Sequence, residues 1–97
     1  MNLMKIKPHI EIKSEEELKI LRQAGKILSS IIKEVACSLK SGMTTYQIDQ
    51  LAEKLINQHG VLPAFKGYRG FPACACISVN QEIVHGIPGK KVVRSGD

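Results

Sequence analysis

The chain has 97 residues, enough for one small domain and too few for two. Its hydrophobic fraction of 43% and charged fraction of 24% are ordinary for a globular protein, and no apolar run reaches the roughly 18 residues of a membrane span. The formal charge of +5 comes from scattered basic residues, which favours a solvated basic surface over a nucleic-acid-binding stripe. We expect a cytoplasmic protein without a membrane partner or specific nucleic-acid recognition.

The cysteines are odd in number: Cys37 falls in a predicted helix, and Cys74 and Cys76 fall in a predicted strand. This pattern does not resemble a disulfide framework, so we expect reduced thiols.

Residues 1–13 are interpreted as a leader segment that precedes a single unit, residues 14–97. Ser14 and Glu17 have the spacing of a capping box and open a long helix, which Gly42 is expected to end. Apolar residues then recur every three or four positions and predict one buried stripe: Leu18, Leu21, Ala24, Leu28, Ile31, Ile32, Val35 and Leu39.

A second helix is predicted from Thr44 and Thr45 to just before Gly60, and Thr44 and Gln47 form a second capping box. Its apolar face is formed by Ile48, Leu51, Ala52, Leu55 and Ile56. Its solvated face is assigned to Asp49, Gln50, Glu53, Lys54 and Asn57.

The rest of the chain predicts a loop and two strands. Residues 65–72 combine glycine and proline with three of the four aromatic residues of the chain. Residues 74–79 predict a strand buried on both faces, Asn80 and Gln81 a tight turn, and residues 82–85 a returning antiparallel strand. The expected fold class is therefore α/β.

His85 is the sharpest candidate for chemistry, because it precedes a Gly-Ile-Pro-Gly turn and an imidazole there can donate a hydrogen bond or transfer a proton near neutral pH. On the residues alone, a structural histidine is the more common case. Cys74 and Cys76 with His85 form a weak zinc hypothesis, against which buried small residues in a strand are favoured. The aromatic segment either lines an apolar side-chain pocket or covers the core.

Three stretches carry a resemblance to a known family: residues 63–73 (PAFKGYRGFPA), 76–80 (CISVN) and 84–88 (VHGIP). They resemble the signature of type I methionine aminopeptidases, and residues 12–14, 22–25, 42–45 and 93–97 also match that family. Such a long ordered pattern is far more specific than a short motif.

The resemblance implies the pita-bread (creatinase/aminopeptidase-like) fold, of which this chain would supply the first half. It implies that His85 contacts substrate near the scissile amide and stabilises the tetrahedral intermediate. It also implies a pocket for the N-terminal methionine side chain formed by Phe65, Tyr68, Phe71 and Cys76.

The family's cofactors are two divalent metal ions (Co, Mn, Fe or Zn), held by two aspartates, a histidine and two glutamates. All five would lie C-terminal to Asp97, so no residue here matches a metal ligand and the 97 residues alone are expected to be inactive. The implied partner is the N-terminal methionine of nascent peptides, and the full-length protein is expected to be monomeric. A non-catalytic module that binds peptides or the ribosomal surface is kept as the alternative.

Overall fold

A computed structural model describes residues 9–97. It contains two helices, α1 (Glu15–Ser38) and α2 (Thr45–Gln58), followed by a short 3-10 helix (Tyr68–Gly70). Part of the predicted leader, residues 1–8, lies outside the described residues, and residues 9–14 have no regular secondary structure. Neither helix within residues 9–97 is both long enough and apolar enough to cross a membrane.

Both predicted capping boxes are formed. At the start of α1, the Glu17 amide donates to the Ser14 hydroxyl at 3.2 Å and the Ser14 amide donates to the Glu17 carboxylate at 3.3 Å. Thr44 and Gln47 make the same reciprocal pair at the start of α2, at 3.1 and 2.9 Å. These bonds satisfy amides that a helix leaves without intrahelical partners, so both helices begin where the sequence predicted.

The core is small and centred on α2. Ile48, Ala52 and Leu55 are buried on this helix, and they are joined by Ile31 of α1 and by Ala73 and Val79 of the following segment. The prediction of a fully buried stripe along α1 is wrong for the described residues: Leu21, Leu28, Ile32 and Leu39 are 45–58% exposed. The physical reason is that α2 covers only one part of α1, and nothing else among residues 9–97 covers the remainder of its apolar face.

The two predicted strands are not formed in the described residues, where the one β-type pairing is an isolated antiparallel bridge between Thr44 and Val92. Residues 76–79 and 82–86 do run beside each other, and the Ile77 amide donates to the Gly86 carbonyl at 2.9 Å. Other donors in this region bond side-chain oxygens: the Val79 amide donates to Glu82 and the Gly86 amide to Ser78. These amides are therefore not available for backbone hydrogen bonds between two strands. An isolated pair of strands is also only marginally stable.

Burial of residues 74–79 also differs from the prediction. Val79 is buried and Ile77 is half-buried, but Cys76 and Ser78 are exposed. The predicted tight turn is present, since the Glu82 amide donates to the Val79 carbonyl at 3.1 Å and Asn80 has φ 54°. Asparagine tolerates this left-handed conformation better than most residues.

The start of α2 is joined to residues 89–93. The Thr45 amide donates to the Lys91 carbonyl and the Tyr46 amide to the Gly89 carbonyl, both at 2.9 Å. The amides of Gln47 and Ile48 donate to the hydroxyl and carbonyl of Thr44. All four amides in the first turn of α2 therefore have partners, and the chain after His85 is held against this helix.

Candidate functional site

An apolar cleft of about 450 Å³ lies between the aromatic loop, which we define as residues 65–72, and the His85 turn, defined as residues 85–89. Four of the five residues predicted to contact substrate line it together: Phe65, Tyr68, Phe71 and His85. Arg69 and Ile87 also line the cleft and were not predicted.

The aromatic side chains of the cleft form a cluster around Phe65. Its ring centroid lies 4.8 Å from that of Phe71 in an edge-on arrangement and 5.8 Å from that of Tyr68. The imidazole of His85 stacks on the same phenyl ring, with centroids 5.5 Å apart and planes inclined by 29°. The two imidazole nitrogens of His85 therefore lie beside a wall of apolar aromatic rings.

The aromatic loop closes on itself through backbone hydrogen bonds. The Gly67 amide donates to the Phe71 carbonyl at 2.7 Å, and the Phe71 amide donates to the Tyr68 carbonyl at 3.0 Å. Arg69 has φ 48°, and its guanidinium lies 5.4 Å from the centroid of the Tyr68 ring. Among the described residues that line the cleft, Arg69 is the one whose side chain is permanently charged.

His85 adopts a left-handed backbone conformation, with φ 56°. This conformation costs a non-glycine residue roughly 1–3 kcal/mol and persists only where neighbouring contacts impose it. Here the next residue is fixed on both sides, since Gly86 accepts from the Ile77 amide and donates to the Ser78 hydroxyl. The strain is thus stored at the residue that the sequence singled out for chemistry.

Cys76 is not part of this cleft. It lines a separate apolar groove of about 290 Å³ between α1, α2 and residues 74–77. Cys76 therefore stays a predicted substrate contact that the described residues do not bring to the other four.

The zinc hypothesis for Cys74, Cys76 and His85 is also not met, because these residues do not form a group of potential ligands within the described part of the chain. Cys37, Cys74 and Cys76 are all free thiols in the structure.

The one group of three potential metal ligands within residues 9–97 is Asp49, Glu53 and Cys74. Asp49 accepts hydrogen bonds from the amides of Cys74 and Ala75, at 3.0 and 2.8 Å. Burial, and secondarily the carboxylates of Glu53 and Asp49, raise the pKa of the Cys74 thiol, which favours its neutral form.

The third member of this group is paired as well. Glu53 accepts a hydrogen bond from the Lys66 ammonium at 2.9 Å, and this bond raises the pKa of Lys66. With Asp49 engaged by two backbone amides and Glu53 by the Lys66 ammonium, the group offers too few free ligand atoms for a pair of divalent ions. It acts instead as a structural link between α2 and the segment around the cleft.

The prediction that places Asp49 on the solvated face of α2 is wrong, because this residue is buried, with 5% of its surface exposed. The available signal was its position directly after Ile48 and four residues after Thr45, at the border of the apolar stripe.

Comparisons with known proteins bear on this site. The model of metallopeptidase family M24 matches residues 19–97. The chain is 46% identical over 85 residues to methionine aminopeptidase 1 of Bacillus subtilis, covering 88% of this chain and 34% of that protein. It is 43% identical over 88 residues to the methionine aminopeptidase of Clostridium perfringens, covering 91% and 35%. The chain spans about a third of the length of these curated relatives.

Solved structures give the same result. The crystal structure of methionine aminopeptidase from Rickettsia prowazekii matches with a TM-score of 0.87 at 32% identity, covering 91% of this chain and 36% of that one. The structure from Thermotoga maritima matches with a TM-score of 0.85 at 37% identity and the same coverage. The resemblance seen in the sequence is thereby confirmed, together with the pita-bread relationship for the part of the fold that the chain covers.

Proposed function

The chain belongs to metallopeptidase family M24, and on that premise we propose that it is part of an aminopeptidase that hydrolyses the initiator methionine from nascent proteins. The observation that carries the proposal is the cleft in which His85 stacks on Phe65 beside Tyr68 and Phe71. The similarity to proteins named methionine aminopeptidase supports it. The three unpaired cysteines are in keeping with a cytoplasmic, reducing location.

The aromatic wall accounts for recognition of the side chain. A methionine thioether is flexible and polarisable and packs favourably against aromatic ring edges. In the cleft, the rings of Phe65 and Phe71 meet edge to face, so aromatic edges and faces are both within this cluster. We assign the binding of the methionine side chain to Phe65, Tyr68 and Phe71, with Cys76 as a further contact.

His85 accounts for the polar part of recognition. Its imidazole is exposed at the cleft edge and can donate a hydrogen bond to the carbonyl oxygen of the scissile amide. A donor fixed in place before the reaction stabilises the negative charge that develops on that oxygen in a tetrahedral intermediate. We assign this role to His85.

No step through a metal ion is assigned to the described residues, because Asp49 is engaged by two backbone amides and Glu53 by Lys66, and the family's five ligands are expected C-terminal to Asp97. The 97 residues by themselves are therefore proposed to be inactive. Reading the gene past the codon for Asp97 tests this directly. An open frame containing further aspartate, histidine and glutamate ligands supports the enzyme, whereas an immediate stop codon supports the alternative, a non-catalytic peptide- or ribosome-binding module.

The kinetic test uses the product of the complete gene with added divalent metal and a methionyl tripeptide. We expect metal-dependent release of methionine, no release by the 97-residue chain, and a loss in kcat of about 10²–10³-fold for His85→Ala. His9→Ala is the matched control, because His9 is an exposed histidine outside both helices. An unchanged kcat in His85→Ala contradicts the role of His85, and absence of methionine release by the wild-type product contradicts the proposed function.

A further inference from the structure

Three polar residues of α2, Thr45, Asp49 and Glu53, follow one another at intervals of four and therefore share one face of the helix. Thr45 and Asp49 are only 2% and 5% exposed, although both are polar. Their side chains bond backbone groups that are 44 and 25–26 residues away in the sequence. Their burial thus reflects contacts with the two segments that border the cleft.

Thr45 holds the His85 turn. The Gly89 amide donates to the Thr45 hydroxyl at 2.7 Å, and that hydroxyl lies 3.2 Å from the Gly89 carbonyl oxygen, to which it donates. The Tyr46 amide donates to the same carbonyl at 2.9 Å. The end of the turn that begins with His85 is therefore fixed to the first turn of α2 by three hydrogen bonds.

Asp49 holds the other side of the cleft. One of its carboxylate oxygens accepts the amides of both Cys74 and Ala75, which directly follow the aromatic loop and buried Ala73. Charge-assisted hydrogen bonds of this kind are stronger than neutral ones. Glu53 adds the ion pair to Lys66 inside the loop, but that pair is largely exposed and contributes little.

We propose that Thr45 and Asp49 are positioning residues, which set the gap between His85 and the aromatic loop through two anchors one turn apart on α2. Four residues of helix span about 6 Å, so one rigid element fixes both sides of the cleft at a short separation. The expected effect of these anchors on peptide binding rests on the function proposed above. Their expected effect on the contact between Phe65 and His85 does not, because that contact exists in the protein without ligand.

The test compares two variants at one position in the product of the complete gene. Asp49→Asn keeps an acceptor oxygen at the same distance and removes the charge, whereas Asp49→Glu keeps the charge and lengthens the side chain by one methylene. Positioning predicts that Asp49→Asn stays close to wild type. It predicts that Asp49→Glu raises KM for a Met-Ala-Ser peptide by about tenfold, with little change in kcat, and reduces the preference over Ala-Ala-Ser.

The second readout is the NMR resonance of the His85 ring, which senses the stacked Phe65 ring without any ligand. It should move toward the value of an unstacked histidine in Asp49→Glu and stay in place in Asp49→Asn. Gln50→Ala is the matched control, since Gln50 is the exposed neighbour on the same helix. It should change neither readout.

The outcomes separate the two claims. If wild type neither hydrolyses nor binds the methionyl peptide, the proposed function fails and the His85 resonance alone decides the positioning role. If Asp49→Glu matches wild type in both readouts, or if Asp49→Asn is the more impaired variant, the positioning role is overturned. Should Asp49→Glu not fold, Thr45→Ser and Thr45→Val decide the same question, because only serine keeps the hydroxyl that binds Gly89. Equal His85 resonances in those two variants overturn the proposal.

Discussion

Gly86 lies against the backbone of the neighbouring segment with no room for a side chain. A Cβ atom at this position would be 2.2 Å from the Ile77 carbonyl oxygen and 2.9 Å from the Ser78 Cα. Both atoms belong to the backbone, so neither can move aside independently. The glycine is therefore required here by close approach, and it sits directly after His85.

We predict that Gly86→Ala in the complete gene product separates residues 77–78 from the His85 turn and destabilises the protein by about 1–3 kcal/mol, the usual cost of overpacking. The measurement is the denaturation midpoint together with hydrogen exchange of the Ile77 amide, which donates to the Gly86 carbonyl. Gly89→Ala is the control, because the nearest atom to its added Cβ is 3.9 Å away. Equal exchange of the Ile77 amide in both variants would contradict the prediction.

The charged side chain of Glu82 stabilises the turn at residues 79–82. Glu82 accepts the Val79 amide at 2.8 Å and the Lys91 ammonium at 3.3 Å, and these bonds lower the pKa of its carboxyl. Because the folded-state pKa lies below the unfolded one, the stabilisation is present above the ordinary carboxyl range and is lost as the pH falls through the lowered pKa. The stabilisation that Glu82 gives to this turn is therefore fully present at neutral pH.

At the level of elements, the two helices have the same N-terminal capping box in different surroundings. The first turn of α1 is exposed, with Glu15, Glu16 and Glu17 facing solvent. The first turn of α2 is instead tied to residues 89–93, and buried Thr45 is its first residue. Fraying at α1 is a local event, whereas fraying at α2 also releases the chain that follows His85.

We therefore predict that Thr44→Ala lowers the stability of the complete gene product by about 1 kcal/mol, the typical cost of losing an N-cap side chain. Ser14→Ala should lower it less, since the exposed first turn of α1 can open alone. Thermal unfolding followed by circular dichroism measures both changes. Thr44→Ser, which retains the capping hydroxyl, is the control, and an equal loss in Ser14→Ala and Thr44→Ala would refute the distinction.

At the level of the whole molecule, the apolar groove between α1, α2 and residues 74–77 is open. Leu28 and Ile32 line it and are 58% and 57% exposed. Exposed apolar surface of this extent favours association with other apolar surface. The groove beside the small core is therefore an apolar surface through which the 97-residue chain can associate.

We predict that the 97-residue polypeptide in isolation self-associates with rising concentration, and that Ile32→Lys weakens this association. Sedimentation velocity over a concentration series is the measurement. The matched control is Leu62→Lys, because Leu62 is 91% exposed and lies outside the groove. A monomer at all concentrations, or an equal effect of both lysine variants, would show that the chain does not self-associate through the groove.

Features that depend on near neighbours in the chain follow from the amino-acid sequence alone. The two capping boxes, and with them the starts of α1 and α2, and the turn at Asn80 each follow from contacts between residues three positions apart. The end of α1 does not, since this helix stops at Ser38 and not at the predicted Gly42. The long motif around Phe65 and His85 also identified the cleft and the family, because its residues occur in a specific order.

Features that depend on partners distant in the sequence become visible in the folded chain. Asp49 is buried because two amides 25 and 26 residues away need an acceptor, and nothing in the helical pattern of α2 reports those amides. Cys76 lies in the groove instead of the cleft. The predicted strands lack a ladder because side-chain oxygens bond the amides of Val79 and Gly86. Local hydrogen bonds depend on residues that are close in the sequence. Burial and strand pairing depend on the surfaces that the folded chain brings together.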